Sequence, residues 1–479
     1  MKLKDLIEKI DCKVVGKIRG DIQHLSHLAQ ECHEKSIYFC LNSEPCDATK
    51  WANIAIDNGC KTIVCENTVV TNKKIVQIVV PNARQAMSQI ASLFYGEPSK
   101  KLQIIGVTGT NGKTTTTTMI AHVLKSKYTV GLIGTNGVVY ADKKIDTGFT
   151  TPDPIAMHKI FADMVNSGVS YVVIEYSAHA IYLQKLWGIT SHIVAFTNLS
   201  QDHLDFFENM QKYYSAKEQL FKDCLYNYSV VCTDDEYGKK LSAVSKNCVT
   251  CSSNSTNADI FIENKEHTTI SQKFSVMSKN GSAKISMKLL GSFNLQNAVV
   301  AISVCLKCGL TFDEIAQAIE TFNGVDGRFE CYNNGVNTVI IDYAHTPDGL
   351  ANVLKTAKTI AGKNKLISVF GCGGNRDSAK RSLMGAVSQK YADFTIVTTD
   401  NPRFEDNYQI AQDIIKGFSN NKYKMLLDRG QALREALNMC KSGDIVLLAG
   451  KGAENYIDIM GTKVDWSDKN LVEQVLKGK

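Results

Sequence analysis

The densest chemistry in the sequence lies in one run, Gly106-Val-Thr-Gly-Thr-Asn-Gly-Lys-Thr-Thr. Gly109 and Gly112 let the backbone turn with its N–H groups facing inward. A helix opening straight after them adds its amino terminus, and the two together make an anion cradle. Lys113 then reaches the terminal phosphates of a nucleotide, and Thr114 sets a hydroxyl on Mg²⁺. The usual spacing calls for glycine at 107. This chain has Val107 there and glycine at 106, a variant of the loop. Further polar residues close apolar runs in the last third: Asp342 ends 339–342, and Asp400-Asn-Pro-Arg follows 394–397. Open parallel sheets bind ligands beyond the carboxyl ends of their strands, so these residues are candidates for a site. Cys248-Val-Thr-Cys and Cys305-Leu-Lys-Cys are expected to be buried thiols rather than zinc knuckles, because the second pair lies in an apolar helical run, 298–310.

The elements that must hold these residues fall into three blocks. Within 1–95, short apolar stretches at 36–41, 61–65 and 75–80 alternate with a helical stretch at 51–58, and 82–95 reads as a helix. Gly96-Glu-Pro-Ser-Lys-Lys is a polar break. From 102 onward, strands at 102–107, 128–133, 171–175, 192–196 and 228–232 alternate with helices, the first being 114–124. That alternation predicts a mostly parallel sheet. A Ser/Asn-rich stretch follows at 252–264, then short alternating segments at 273–277 and 283–290 that predict added antiparallel hairpins. After Gly327-Arg328 a second strand–helix pattern begins, with strands at 339–342, 366–370, 394–397 and 445–448. The expected fold class is α/β, with domains at 1–97, 98–327 and 328–479.

Composition narrows the function classes. The chain has 479 residues, 44% apolar and 21% charged, which excludes disorder as its dominant state. Its apolar runs fall well short of the ~18 residues of a membrane span. The first residues carry charges every few positions, unlike a secretory leader. Fifteen cysteines, an odd number, suit reduced thiols, so a cytoplasmic location is expected. A net charge of +6 with interspersed signs gives weak support at best for a nucleic-acid partner. Lys422 and Lys424 read as a solvated edge.

Thr108-Gly-Thr-Asn-Gly-Lys-Thr-Thr resembles the loop of the Mur ligases, ATP-dependent amide-forming enzymes of peptidoglycan precursor synthesis. Further motifs follow in that family's order: Thr150-Thr-Pro-Asp, Ile174-Glu-Tyr-Ser-Ala-His, Asn198-Leu-Ser-Gln-Asp-His-Leu-Asp and Tyr214-Ser-Ala-Lys-Glu-Gln-Leu-Phe. Gly291-Ser-Phe-Asn-Leu-Gln-Asn, Gly327-Arg328, Asp342-Tyr-Ala-His-Thr-Pro-Asp, Gly371-Cys-Gly-Gly-Asn-Arg-Asp and Asp400-Asn-Pro-Arg complete the set, which spans 102–455. It is most similar to the branch that adds the third residue of the stem peptide.

The resemblance implies a three-domain fold: an α/β domain for a UDP-linked substrate, a central phosphate-loop domain with added antiparallel strands, and a Rossmann-like last domain. It implies that ATP phosphorylates a carboxylate of UDP-N-acetylmuramoyl-L-alanyl-D-glutamate and that the amine of meso-diaminopimelate attacks the acyl phosphate. It assigns ATP to Gly109, Thr110, Asn111, Gly112, Lys113, Thr114, Thr115, Asn294, Arg328 and Asp342. Mg²⁺ falls to Thr114, Glu175, His203 and Lys217, the last carbamylated by CO₂. Lys113, Lys217, His203 and Glu175 are the implied catalytic set. Ser26, Thr150, Thr151, Ser177 and Lys185 are implied contacts of the UDP-peptide, and Arg376, Asp400, Asn401, Arg403, Gly450 and Glu454 contacts of the amino acid. Arg403 would pair with the distal carboxylate that diaminopimelate has and lysine lacks, and Glu454 with its distal ammonium. The implied partners are small molecules, with neither nucleic acid nor membrane, and a monomer is expected.

Departures from the family pattern gather in the substrate contacts. Leu25-Ser-His lacks the usual Asp-Ser-Arg, Asp47-Ala-Thr stands for Asp-Gly-His, and Lys185 replaces an arginine, keeping charge without the fork. Gly450-Lys-Gly-Ala-Glu stands for Gly-Lys-Gly-His-Glu. Other readings stay open at this point: a paralogue using another diamino acid or UDP-peptide, a folylpolyglutamate-synthase-like ligase, and a non-catalytic ATP-binding paralogue.

Overall fold

The computed structural model describes residues 1–18, 20–41, 48–72, 74–267, 271–333 and 335–477. Asp47, named above for its departure from the family pattern, lies outside them. Three sheets organise the chain. The first has five strands in the spatial order Lys13–Val15, Val76–Val79, Thr62–Cys65, Ser36–Phe39 and His24–Ser26, parallel except for Lys13–Val15. Its closing helix, Ala83–Phe94, starts where the Asn82 side chain accepts the Arg84 and Gln85 N–H groups. That helix packs on Pro154–Asn166 of the next unit. Ser88 Oγ donates to Trp187 O at 2.7 Å, and Asn82 Nδ2 donates to Gln184 Oε1 at 3.0 Å.

The central sheet has eleven strands. Seven are parallel, and an antiparallel hairpin is added at each edge. Gln103–Thr108 runs between Tyr171–Glu175 and Thr190–Phe196. All but its first residue is buried, as a strand covered by helices on both faces must be. On one face lie Lys113–Leu124 and Ser292–Lys307, whose side chains share a core with Ile105 and Val107. On the other lie Pro154–Asn166, Ala178–Tyr182 and Met210–Lys222.

Two departures from the sequence reading stand out. The Ser/Asn-rich stretch was expected to precede the hairpins, but a strand, Ile260–His267, begins inside it. Its buried residues, Ile260 and Ile262, alternate as on any one-sided strand, while the preceding polar run turns back on Asp234, which accepts from Ser252 and Ser253. The second is a hairpin at the opposite edge, Gly137–Tyr140 with Lys143–Ile145. Its outer strand is wholly exposed and has no apolar alternation to announce it.

The last sheet has six strands. Thr338–Asp342, Ile445–Ala449, Leu366–Phe370, Phe394–Val397 and Tyr423–Met425 are parallel neighbours, with Glu330–Asn333 antiparallel at the edge. A separate hairpin, Tyr456–Ile459 with Thr462–Asp465, stands beside it. The fold is three α/β units, as the sequence pattern and the resemblance led one to expect. Among the described residues no helix is long and apolar enough to cross a membrane. Cys251 and the Cys305/Cys308 pair are buried as expected, but Cys248, the first residue of its strand, is only half-buried.

Candidate active site

The phosphate loop is tied down before any ligand arrives. Thr110 N–H donates to Asn198 O at 2.8 Å, Asn111 N–H to Asn198 Oδ1 at 3.0 Å, and Thr197 Oγ1 to Asn111 O at 2.7 Å. A Cβ at Gly109, whose φ is +146°, would lie 1.9 Å from Thr197 Oγ1. One at Gly106 would lie 1.9 Å from the Tyr176 ring, which explains why this variant of the loop keeps glycine there, while Val107 is core. Thr115 is buried in the first turn of the helix.

Two lysines converge on one carbonyl. Lys113 Nζ donates to Gly109 O at 2.9 Å and Thr110 O at 2.8 Å, and Lys217 Nζ donates to Gly109 O at 2.9 Å. Lys217 is no solvated helix lysine: it is 1% exposed and sits over the Tyr213 ring. Burial pushes its amine well below the ordinary lysine range, and the neighbouring Lys113 charge pushes the same way. Lys113 is lowered too, by enclosure and by Arg328, against the pull of Glu175 and Asp202.

Glu175, 1% exposed, ends its strand beside this pair and accepts from Thr135 N–H at 2.8 Å and Thr135 Oγ1 at 3.1 Å. Glu175 and Thr114 line one small cavity. Arg328 crosses from the start of the last unit: Nη2 donates to Thr114 Oγ1 at 3.1 Å, and the guanidinium covers the Tyr343 ring. Asp342 accepts from the Phe329 and Ala344 N–H groups, and burial raises its pKa against the pull of Arg328. Asn294 is buried and donates to Leu290 O.

His203 has left-handed backbone (φ 55°), and its Nε2 lies 3.3 Å from Asp202 Oδ2. Enclosure holds its imidazole below the usual range, which favours the neutral, ligating form. Asp202 is also where the last unit docks. His345 Nε2 lies 3.8 Å from Oδ2 and buried Lys380 Nζ lies 3.9 Å from Oδ1. Burial opposes its ionisation, yet His345, His203 and Lys380 hold its carboxyl down at about 2. Asn111 Nδ2 adds a second bridge, to Asp348 Oδ2 at 3.1 Å. Among the described residues no three His, Cys, Asp or Glu side chains form a metal cluster. The oxygens of Thr114 and Glu175 on one cavity, with a neutral imidazole nearby, fit Mg²⁺ only alongside phosphate oxygens, as Mg²⁺ ordinarily binds.

The candidate UDP-peptide residues divide into two groups. Thr150, Thr151, Ser177 and Lys185 come together. Thr150 Oγ1 meets Thr135 Oγ1 at 3.2 Å, Thr151 Oγ1 donates to Glu175 O at 2.6 Å, and Ser177 caps the helix that leads to Lys185. Lys185 pairs with Asp153 at 2.7 Å, and His27 of the first unit approaches the same carboxylate at 3.8 Å. Ser26 is engaged locally: its hydroxyl donates to Leu28 O and accepts Leu28 N–H in a small turn.

The acceptor candidates line the carboxyl ends of the last sheet. Asn401 Nδ2 donates to Glu454 Oε2 at 2.8 Å, and Lys451, fully buried, reaches both Glu454 Oε2 (2.9 Å) and Asn401 Oδ1 (3.0 Å). Glu454 therefore already has a cation beside it. Asp400 lies against Gly450, where a Cβ would come 2.4 Å from Oδ2. Arg403 Nη1 donates to Gly374 O at 2.7 Å, and Arg376 is exposed nearby. Behind these loops Arg429 and Asp468 form a wholly buried pair at 2.6 Å. Arg429 also donates to Thr399 O and Ala449 O, the residues just before Asp400 and Gly450.

Comparison with known proteins decides the family. The Mur ligase middle domain matches residues 107–305, and the Mur ligase glutamate ligase domain matches 327–452. A UDP-N-acetylmuramoyl-L-alanyl-D-glutamate--2,6-diaminopimelate ligase of Clostridium tetani is 37% identical over 485 residues, covering 100% of this chain and 99% of that protein. The chain belongs to the Mur ligase family. A solved structure of a ligase of the same description superposes with a TM-score of 0.71 at 28% identity, covering 100% of this chain and 99% of the other. MurF from Acinetobacter baumannii shares the fold alone, at TM-score 0.66 and 17% identity over 99% and 98% of the two chains.

In this Mur ligase several residues join the site that the sequence reading had not singled out. Asn297 Nδ2 donates to Asn294 Oδ1 at 3.0 Å, and its Oδ1 stands where a Gly112 Cβ would go. It sits one helical turn from Asn294 within the quoted Gly291-to-Asn297 motif, so the i, i+3 spacing could have found it. His345 lies in a quoted motif as well. Lys380 carried no signal, because its partner Asp202 is far away in sequence, and Lys451, though inside the quoted Gly450-to-Glu454 stretch, was not singled out there.

Proposed function

We propose that this chain is an ADP-forming ligase that joins meso-diaminopimelate to UDP-N-acetylmuramoyl-L-alanyl-D-glutamate, a step of peptidoglycan precursor synthesis. Residues 1–97 take the uridine end of the UDP-peptide, 98–327 take ATP and Mg²⁺, and 328–479 take the amino acid. The enzyme works as a cytoplasmic monomer. The observation that carries the reading is the Arg328–Thr114 bond at 3.1 Å. It spans the joint between the nucleotide loop and the unit bearing Asp400-Asn-Pro-Arg. Identity to diaminopimelate-adding relatives along the whole chain supports it over a folylpolyglutamate-synthase-like activity.

A carboxylate resists attack by an amine until an oxygen is made a leaving group, which phosphorylation achieves. The amine then adds, and the tetrahedral adduct collapses to amide and phosphate. The protein's work is positioning and charge neutralisation. The Gly109–Thr115 backbone holds the nucleotide, and Lys113 neutralises the phosphoryl group in transfer. Arg328 joins it only when the last unit is closed, which ties chemistry to acceptor binding. Thr114, Glu175 and His203 would hold Mg²⁺, which when bound would supply charge shielding between phosphate and carboxylate oxygens. The depressed amine of Lys217 favours reaction with CO₂, giving a carbamate and a proton. That turns a crowded cation into an anion and relieves its repulsion with Lys113.

The test is phosphate release with UDP-muramoyl dipeptide paired in turn with diaminopimelate, lysine and other diamino acids. Release is expected only with both substrates present, and fastest with diaminopimelate. Release without the UDP-peptide, or an equal ranking of acceptors, overturns the assignment.

A further inference from the structure

The guanidinium assigned to the acceptor's distal carboxylate already faces a carboxylate of the protein. Arg403 Nε lies 3.8 Å from Asp458 Oδ2, both side chains being about a quarter exposed (25% and 22%). The pairing is built into the backbone. Arg403 N–H donates to Asp458 O at 2.9 Å, Met460 N–H donates to Arg403 O at 2.8 Å, and Asp458 N–H donates to Asn401 Oδ1 at 2.9 Å. Residue 403 is thus laced to the hairpin Tyr456–Ile459 and Thr462–Asp465, with its own backbone left-handed (φ 53°). With Nη1 on Gly374 O and Nε toward Asp458, only Nη2 is left without a protein partner among the described residues.

We propose that Asp458 is a specificity-determining residue of the acceptor subsite: its charge offsets Arg403 and narrows the discrimination between diaminopimelate and lysine. The inference rests on the function proposed above. Diaminopimelate and lysine share the distal ammonium, so any attraction between that ammonium and Asp458 cancels in their ratio. They differ by one carboxylate. A carboxylate seated on Arg403 meets the attraction of the guanidinium and the repulsion of Asp458 together, and the second partly offsets the first; without the guanidinium the carboxylate is not held beside Asp458, and the repulsion goes with it. A bland role for Asp458 is also visible, since Oδ1 accepts Gly461 N–H at 3.1 Å and closes the hairpin turn. The two roles use different oxygens and can be separated.

Asp458→Asn keeps an oxygen for the turn and removes the charge, and Asp458→Ser repeats the change with a shorter acceptor atom. In both, the ratio of kcat/KM for diaminopimelate to that for lysine, read by phosphate release at low salt, is expected to rise about fivefold. Asp458→Glu should leave the ratio near wild type. In an Arg403→Ala background, Asp458→Asn should no longer move it. A ratio unchanged or lowered in both Asn and Ser variants overturns the inference, as does the same rise without Arg403. A wild-type enzyme that releases phosphate with neither acceptor defeats the underlying function instead, so the two failures are distinct.

Discussion

The phosphate loop and the proposed acceptor site are both rich in cations, but they balance charge in opposite ways. Around Gly109 O, Lys113 and Lys217 share one carbonyl, and neither has a carboxylate within ion-pair distance among the described residues. In the last unit three cations come with their own anions: Lys451 with Glu454, Arg403 with Asp458, and Arg429 with Asp468. An unbalanced cluster suits a ligand that brings several negative charges and can leave with some of them. A balanced one suits a ligand that is zwitterionic at both ends and carries no net charge. The difference teaches that the charge of each end suits the ligand proposed for it, which a count of lysines and arginines hides.

Breaking the unbalanced end should cost most. Lys113→Ala is expected to abolish nucleotide turnover, a loss of at least about 10³-fold in phosphate release. Undiminished ATP hydrolysis in that variant would remove the phosphate loop from the mechanism. Lys217→Ala should lose roughly 10²-fold or more, and added formate or acetate should restore part of it by supplying the missing anion. Full activity without additives would mean that the buried amine does no work. At the balanced end the effect is on choice rather than rate. Arg403→Ala should lower the preference for diaminopimelate over lysine by roughly tenfold or more, the worth of a partly buried charged hydrogen bond. A variant that kept the preference would shift recognition to other groups. Smallest is the far corner: Lys185→Ala should raise KM for the UDP-peptide by about fivefold and leave that for ATP unchanged, because Asp153 keeps His27 as a neighbour.

How much of this could be read in the chain follows the same division. The loop was legible because a phosphate cradle needs fixed glycines, a lysine and a helix start within ten residues. Asp342 was legible because strand ends announce themselves, whereas Glu175 and His203 came forward only through the family motifs around them. The burial of Lys217 was not, since Tyr213 and Gly109 O reach it only through the fold. Glu454 was expected to await an ammonium, and nothing local in Gly450-Lys-Gly-Ala-Glu says that Lys451 folds back beneath it. The strand Ile260–His267 escaped for a related reason: its preceding serines look like loop until Asp234 gathers them.

The buried Arg429–Asp468 pair ties the helix at Asp468–Lys477 to the proposed acceptor loops. Asp468 opens the last helix, and Arg429 passes its grip to the carbonyls just ahead of Asp400 and Gly450. A protein cut short before that helix would keep every side chain assigned to either substrate. It would still slacken both acceptor loops at their roots, so an assay fusion or a protease nick at this end would register first as a weakened grasp of the amino acid.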